Sequence, residues 1–160
     1  MALPTLNNLN LLVTGGAGYI GSHLVKELDK SGSRVTVLDD LSNGHADAVL
    51  GAKLVQASLG NEAALENLFK HNHFDGVFHF ASFIQVSESV SDPLKYYANN
   101  VSNTLNLLKA MQRHRVNRLV FSSTAAIFGQ PKADTIDELH PKNPINPYGT
   151  SKKMVEDILA

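Results

Sequence analysis

No cysteine occurs among the 160 residues, which excludes disulfides and thiolate metal sites but leaves the compartment open, because reduced proteins need none. No metal is expected. No apolar run approaches the length that crosses a bilayer. Met1 to Asn8 shows no basic segment ahead of an apolar one, so neither a signal peptide nor a membrane partner is expected, and a cytoplasmic address is. An excess of one charge is missing too: 14 Lys+Arg stand against 15 Asp+Glu, a net charge of -1. The densest basic stretch, Arg113-His114-Arg115 with Arg118, is short and interrupted. It reads as a solvated helix end, and no nucleic-acid partner is expected. There is no internal repeat and no low-complexity tract, and a chain of this size suggests one domain over residues 1–160.

What is present is alternation. Short, nearly continuous apolar runs at Leu11 to Thr14, Arg34 to Leu38, Lys53 to Gln56, Val77 to Phe80 and Leu119 to Phe121 have the character of parallel strands buried on both faces. Between them, helical spacing of apolar residues predicts helices over Tyr19 to Lys30, Asn61 to Asn72, Leu94 to Arg113 and Tyr148 to Leu159. Asn61 suits a helix cap, and Pro93 after Asp92 suits a first turn. The pattern predicts an α/β fold with a doubly wound parallel sheet, Rossmann-like. Ala125 to Pro147, with Pro131, Pro141, Pro144 and Pro147, is the longest stretch without periodicity. A loop of that length in a compact domain is more often functional than idle.

Directly after the first strand candidate comes Thr14-Gly15-Gly16-Ala17-Gly18-Tyr19-Ile20-Gly21-Ser22-His23. A pyrophosphate requires exposed backbone N–H groups, a tight turn and the positive end of a helix. Gly15 and Gly18 meet the first two needs, and Gly21 lets the helix lie close to the sheet. A glycine pattern alone is weak, but here a strand precedes it and a helix follows. The next strand ends at Asp39, 18 residues past Gly21, where a carboxylate can accept both ribose hydroxyls of an adenosine and repel a 2′-phosphate. No arginine lies in Leu38 to His45 to offset that repulsion. The expected cofactor is therefore NAD rather than NADP.

Near the end, Asn146-Pro147-Tyr148-Gly149-Thr150-Ser151-Lys152 places Tyr148 and Lys152 four apart at a helix start, on one helical face. An ordinary phenol titrates near 10, so a base at neutral pH needs help, and a nearby ammonium favours the phenolate. Tyr-x-x-x-Lys alone is common and usually structural. Its context is a fifth strand ending in Phe121-Ser122-Ser123-Thr124, which delivers hydroxyls to the carboxyl edge of the sheet. Taken singly, those hydroxyl residues most often bond the local backbone.

With these residues in view, the chain resembles the extended short-chain dehydrogenase/reductase family, and within it the branch of UDP-glucose 4-epimerases. The likeness runs from Leu11 to Ile158. It rests on the glycine turn, Leu38-Asp39-Asp40-Leu41-Ser42-Asn43-Gly44, His79-Phe80-Ala81-Ser82, Glu88-Ser89-Val90, Pro93-Leu94 with Tyr96-Tyr97 and Asn99-Asn100-Val101, Ser122-Ser123-Thr124-Ala125-Ala126 and Pro147-Tyr148-Gly149 with Lys152. The resemblance implies that Gly15, Gly18, Tyr19, Ile20 and Gly21 approach the pyrophosphate, and that Asp39, Asp40, Asn43, Gly44, Ser58 and Leu59 surround the adenosine end. It implies that Phe80, Ala81 and Ser82 line the cofactor, with Asn99, Tyr148 and Lys152 toward the nicotinamide end. Tyr148 would act as base, Lys152 as its ammonium and holder of the nicotinamide ribose, and Thr124, with Ser123 as second choice, as the hydroxyl beside the sugar 4-OH.

The implied activity is NAD-dependent interconversion of UDP-glucose and UDP-galactose by oxidation and re-reduction at C4, in galactose metabolism, by a full-length homodimer acting on a UDP-sugar. The alternatives are a nucleotide-sugar dehydratase or dehydrogenase of the same family, or a catalytically incomplete NAD-binding fragment. Dehydratases and decarboxylases of the family keep an acid in the hydroxyl run, where Ala125 and Ala126 stand here. Other departures are Ser58-Leu59 in place of Asp-Ile or Asp-Leu, Phe128-Gly129 in place of Tyr-Gly, and Ile84 in place of a lysine. Family members are also longer, and by that comparison the C-terminal substrate domain is missing, the chain ending just after its Tyr-x-x-x-Lys motif.

Overall fold

A strand covered on both faces must offer apolar side chains to both, and β1 (Asn10–Thr14) does so with its central Leu11, Leu12 and Val13. A computed structural model of the chain describes residues 7–132 and 134–160. After β1 come α1 (Tyr19–Lys30), β2 (Arg34–Asp39), β3 (Lys53–Gln56), α2 (Glu62–His71), β4 (Gly76–His79), α3 (Val86–Ser91), α4 (Pro93–Tyr97), α5 (Asn103–Arg113), β5 (Leu119–Phe121) and α6 (Pro147–Leu159). Short 3₁₀ turns occupy Ala46–Val49 and Ala125–Phe128, and a π turn at Ala98–Ser102 joins α4 to α5. No helix among the described residues is long and apolar enough to cross a membrane.

The residues group into two compact units: one runs to Ala81 and resumes over Asn106–Ser122, and the other comprises Ser82–Leu105 with Ser123–Ala160. The first contains the whole sheet, all parallel, in the order β3-β2-β1-β4-β5. Successive residues of β1 supply opposite cores. Leu11 and Val13 pack with Val25, Leu28, Val35, Val37 and Val49, while Leu12 packs with Leu38, Leu65, Leu68, Phe69, Val77 and Leu107. The predicted double covering of the sheet is thus present. Leu12 and Val13 are fully buried, each contributing about 1.5–3 kcal/mol of transfer free energy.

Polar contacts fix the two ends of β1. At its start, the Asn10 N–H donates to Asp75 Oδ2 at 2.8 Å, and the Asn10 amide donates to the His73 carbonyl. At its end, Thr14 Oγ1 lies 2.6 Å from His79 Nδ1, and His79 is fully buried, stacked on Phe121 with ring centres 5.6 Å apart. The strand order reverses between β1 and β4, which is the switch point where ligands bind in such sheets.

The second unit holds α3, α4 and α6. Two expectations change here. The predicted helix Leu94 to Arg113 starts at Pro93, capped by Asp92 Oδ1 accepting the Lys95 N–H at 3.2 Å, and is interrupted by the π turn. The helix α3 was not expected, since Val86-Ser-Glu-Ser-Val-Ser91 lacks a helical apolar repeat. The Asn61 cap is present, its side chain accepting the Ala64 N–H at 3.0 Å.

Candidate functional site

In the first unit, the turn between β1 and α1 is built around glycines that cannot be replaced. Gly15 has φ +72°, and a Cβ there would stand 2.5 Å from the Ala81 nitrogen. A Cβ on Gly21 would run into the Gly15 carbonyl oxygen. Gly18 caps α1 in extended conformation with no side-chain cap, so the N–H groups of the first helical turn have no side-chain acceptor at that cap. Tyr19 and Ile20 open the helix with 83% and 60% of their surfaces exposed. A turn of this shape has the chemistry to cradle an anion through backbone N–H groups.

Asp39 closes the cradle. Its Oδ2 accepts the Ala17 N–H and its Oδ1 the Leu41 N–H, both at 2.9 Å, and the residue is 9% exposed. Leu41 is held in the left-handed region, φ +61°, a strained position for a leucine that the Asp39 bond stabilises. Each carboxylate oxygen keeps a lone pair for a further donor. Gly44 packs under the same turn, where a Cβ would meet Ala17 at 2.8 Å. Asp40 is exposed and accepts the Ser42 N–H at 2.9 Å; Asn43 is exposed beside it.

The other residues expected at the adenosine end sit differently. Ser58 Oγ accepts the Gly60 N–H at 3.1 Å, and the Leu59 side chain is buried in the core with Leu65 and Leu107, so Leu59 offers only backbone. Phe80 extends the β4 ladder, its N–H donating to the Thr14 carbonyl at 2.9 Å, and with the partly buried Ala81 it packs against the sheet cores. Their backbone passes directly over Gly15.

In the second unit, Asn146 caps α6 by accepting the Gly149 N–H at 2.8 Å, and Pro147 opens its first turn. A Cβ on Gly149 would stand 2.5 Å from the Ala126 carbonyl oxygen, so the start of α6 lies against the 3₁₀ turn that Thr124 caps. Thr124 Oγ1 accepts the Ala126 N–H at 3.2 Å and can still donate its own proton. Ser123 precedes it, partly buried. Tyr148 is 9% exposed, its ring edge-on to Tyr96 with centres 6.5 Å apart.

Lys152 is 2% exposed, and its Nζ donates to Ser82 Oγ at 2.7 Å. Burial brings its pKa from 10.5 down to about 8. Ser82, expected against the cofactor, is thus also the hydroxyl that receives this ammonium. Asn99 lies in the π turn, its Nδ2 donating to Asn100 Oδ1 at 3.0 Å.

Sequence reasoning gave Asn100 no role. It is 1% exposed, accepts the Phe83 N–H at 2.9 Å, donates to the Phe83 carbonyl at 3.0 Å and donates to Ser151 Oγ at 3.1 Å. Ser151 Oγ in turn donates to the Tyr148 carbonyl at 2.7 Å. The π turn, a distortion often retained at functional sites, therefore ties Phe83 to the helix bearing Tyr148 and Lys152. The signal in the sequence was a polar Asn99-Asn100 pair inside an otherwise helical pattern.

Residues 11–160 match a family described as the NAD dependent epimerase/dehydratase family. The chain is 49% identical to the UDP-glucose 4-epimerase of Lactobacillus helveticus, over 95% of this chain and 46% of that protein. It is 46% identical to UDP-arabinose 4-epimerase 1 of Arabidopsis thaliana, over 94% of this chain and 38% of that one. Among solved structures, the UDP-glucose 4-epimerase from Brucella ovis in complex with NAD matches with a TM-score of 0.92 at 42% identity, covering 94% of this chain and 46% of that chain. The chain thus spans less than half the length of these relatives.

Proposed function

The chain belongs to the NAD dependent epimerase/dehydratase family, and from that premise we propose that it is the NAD-binding portion of an enzyme that interconverts UDP-glucose and UDP-galactose at C4. The observation that carries this reading is the second unit's grouping of a buried ammonium, Lys152, with Tyr148 on the same face of α6 and Thr124 at the turn packed under that helix. The first unit suits NAD: Gly15 permits the tight turn against Ala81, the start of α1 presents N–H groups to a diphosphate, and Asp39 retains lone pairs for ribose hydroxyls. When bound, NAD supplies a hydride acceptor that returns what it takes. Tyr148 would remove the 4-OH proton and give it back. Lys152, charged up to about pH 8, would favour the phenolate, and the Thr124 hydroxyl would hold the sugar oxygen. Ala125 and Ala126 bring no acid to drive water loss, which favours epimerisation over dehydration. The whole protein is read as a homodimer of galactose metabolism, as its family resemblance implies.

A second reading takes UDP-arabinose as substrate, favoured by the 46% identity to the Arabidopsis enzyme. The test is to incubate the full-length protein with UDP-galactose and with UDP-arabinose and to follow the 4-epimers by chromatography. Tyr148→Phe should lower the turnover of the preferred sugar by orders of magnitude while NAD stays bound, because the ring remains and only the base is lost. Near-normal turnover in Tyr148→Phe, or exchange of C4 deuterium with solvent, would overturn the reading.

A further inference from the structure

The sequence motif Glu88-Ser89-Val90 and the tyrosine at 96 have no part in the chemistry above, yet they meet beside Tyr148. Tyr96 is completely buried. Its hydroxyl donates to Glu88 Oε2 at 2.8 Å and accepts the Gln85 N–H at 3.1 Å. Gln85 is the cap residue of α3 and Glu88 lies in its first turn, so this phenol is bonded to the start of α3 through both its donor and its acceptor. Lys95 Nζ lies 2.6 Å from Glu88 Oε1 and 4.8 Å from the centre of the Phe83 ring, which fixes the carboxylate from the other side. The ring of Tyr96 then meets Phe83 at 5.8 Å and the ring of Tyr148 at 6.5 Å, the latter edge-on at 81°, an arrangement aromatic quadrupoles favour.

Resting on the proposed role of Tyr148 as base, we propose that Glu88 and Tyr96 are positioning residues: a buried phenol, anchored on α3 through its hydroxyl, holds the Tyr148 ring in the orientation proton transfer requires. Two neighbouring phenols are thereby given separate tasks. Burial, and then the Glu88 carboxylate, push Tyr96 up to about 12, so it remains a neutral hydrogen-bond donor while Tyr148 shares its helix face with Lys152. Tyr96 on α4 stands edge-on to Tyr148, Glu88 on α3 and Lys95 on α4 follow behind it as Tyr96–Glu88 and Lys95–Glu88 contacts, and Lys152 lies one turn along α6 from Tyr148.

The experiment uses the full-length protein. Tyr96→Phe keeps the ring and removes the anchor; kcat should fall about 10-fold with KM little changed, as expected for a misplaced reacting group. Glu88→Ala should match it, Glu88→Gln, which keeps an acceptor oxygen, should recover most of the loss, and the double variant Glu88→Ala/Tyr96→Phe should be no worse than either single one. Ionisation of Tyr148 is read separately as the ultraviolet phenolate absorbance lost on Tyr148→Phe, in wild-type and Tyr96→Phe backgrounds. Loss of the anchor should make this readout differ between the two backgrounds. A titration that stays in place overturns the proposal whatever kcat does, and so do losses that multiply in the double variant. If the wild type interconverts no UDP-sugar, the functional reading fails by itself, and the titration still decides the positioning role.

Discussion

Replacing Lys152 by methionine should make the protein more stable at neutral pH and less stable, relative to wild type, in alkali. The folded chain keeps Lys152 charged only up to about pH 8, whereas an unfolded lysine stays charged to its ordinary 10.5. Between these values the unfolded state binds more protons, so stability rises with pH across that window, and below it the full cost of burying the charge is present. At 1.36 kcal/mol per tenfold change, that cost is about 3 kcal/mol. Lys152→Met removes it while filling nearly the same volume, and loses the hydrogen bond to Ser82 at 2.7 Å, worth about 1 kcal/mol because half-buried Ser82 can turn to water. The variant should therefore gain at most about 2 kcal/mol at pH 7, and the gain should vanish by about pH 10.5. Urea titrations of the 160-residue chain and its variant at both pH values, followed by circular dichroism, measure this directly. A variant less stable at pH 7, or a difference independent of pH, refutes the reasoning. A lysine that destabilises its own fold belongs to a site selected for something else.

Gly15→Ala, with φ +72° and a Cβ 2.5 Å from the Ala81 nitrogen, should cost more than about 2 kcal/mol and abolish NAD retention, measured by urea unfolding and by absorbance of the purified protein. Asp39→Ala orphans the N–H groups of Ala17 and Leu41; it should lose about 1–3 kcal/mol, and calorimetry should show a narrower preference for NAD over NADP. Asn100→Ala removes the side chain that bonds Phe83 twice and Ser151 once, and should cost about 2–4 kcal/mol, with faster amide exchange at Phe83.

The sheet was legible because double burial writes itself as unbroken apolar runs, as in Leu11-Leu12-Val13. The Asn61 cap and the first turn at Pro93 after Asp92 were legible for a local reason, since a cap needs only its own first turn. The helix α3 was not legible: six residues rich in serine become helical because Tyr96, distant in sequence, receives the Gln85 N–H. Nor was the π turn, which forms where Asn100 spends its side chain on Phe83 and Ser151 rather than on solvent. Spacing singled out Asp39 and Lys152. It could not show that the Asp39 carboxylate is already engaged by two backbone N–H groups, or that burial depresses the lysine, because both depend on the folded surroundings.

The two-faced burial of β1 has a consequence for pairing fidelity. In a strand with one wet face, a slip of one residue would push the whole apolar set into water, and the hydrophobic effect alone would forbid it. In β1 a slip exchanges Leu12 for Val13 or Leu11, apolar for apolar, and greasy contacts barely object. What discriminates the correct alignment is the pair of polar pegs at its ends, Asn10 on Asp75 and His73, and Thr14 on His79. The placement of Gly15 under Ala81 follows from that alignment, so these few polar atoms index the glycine turn against its neighbouring strand.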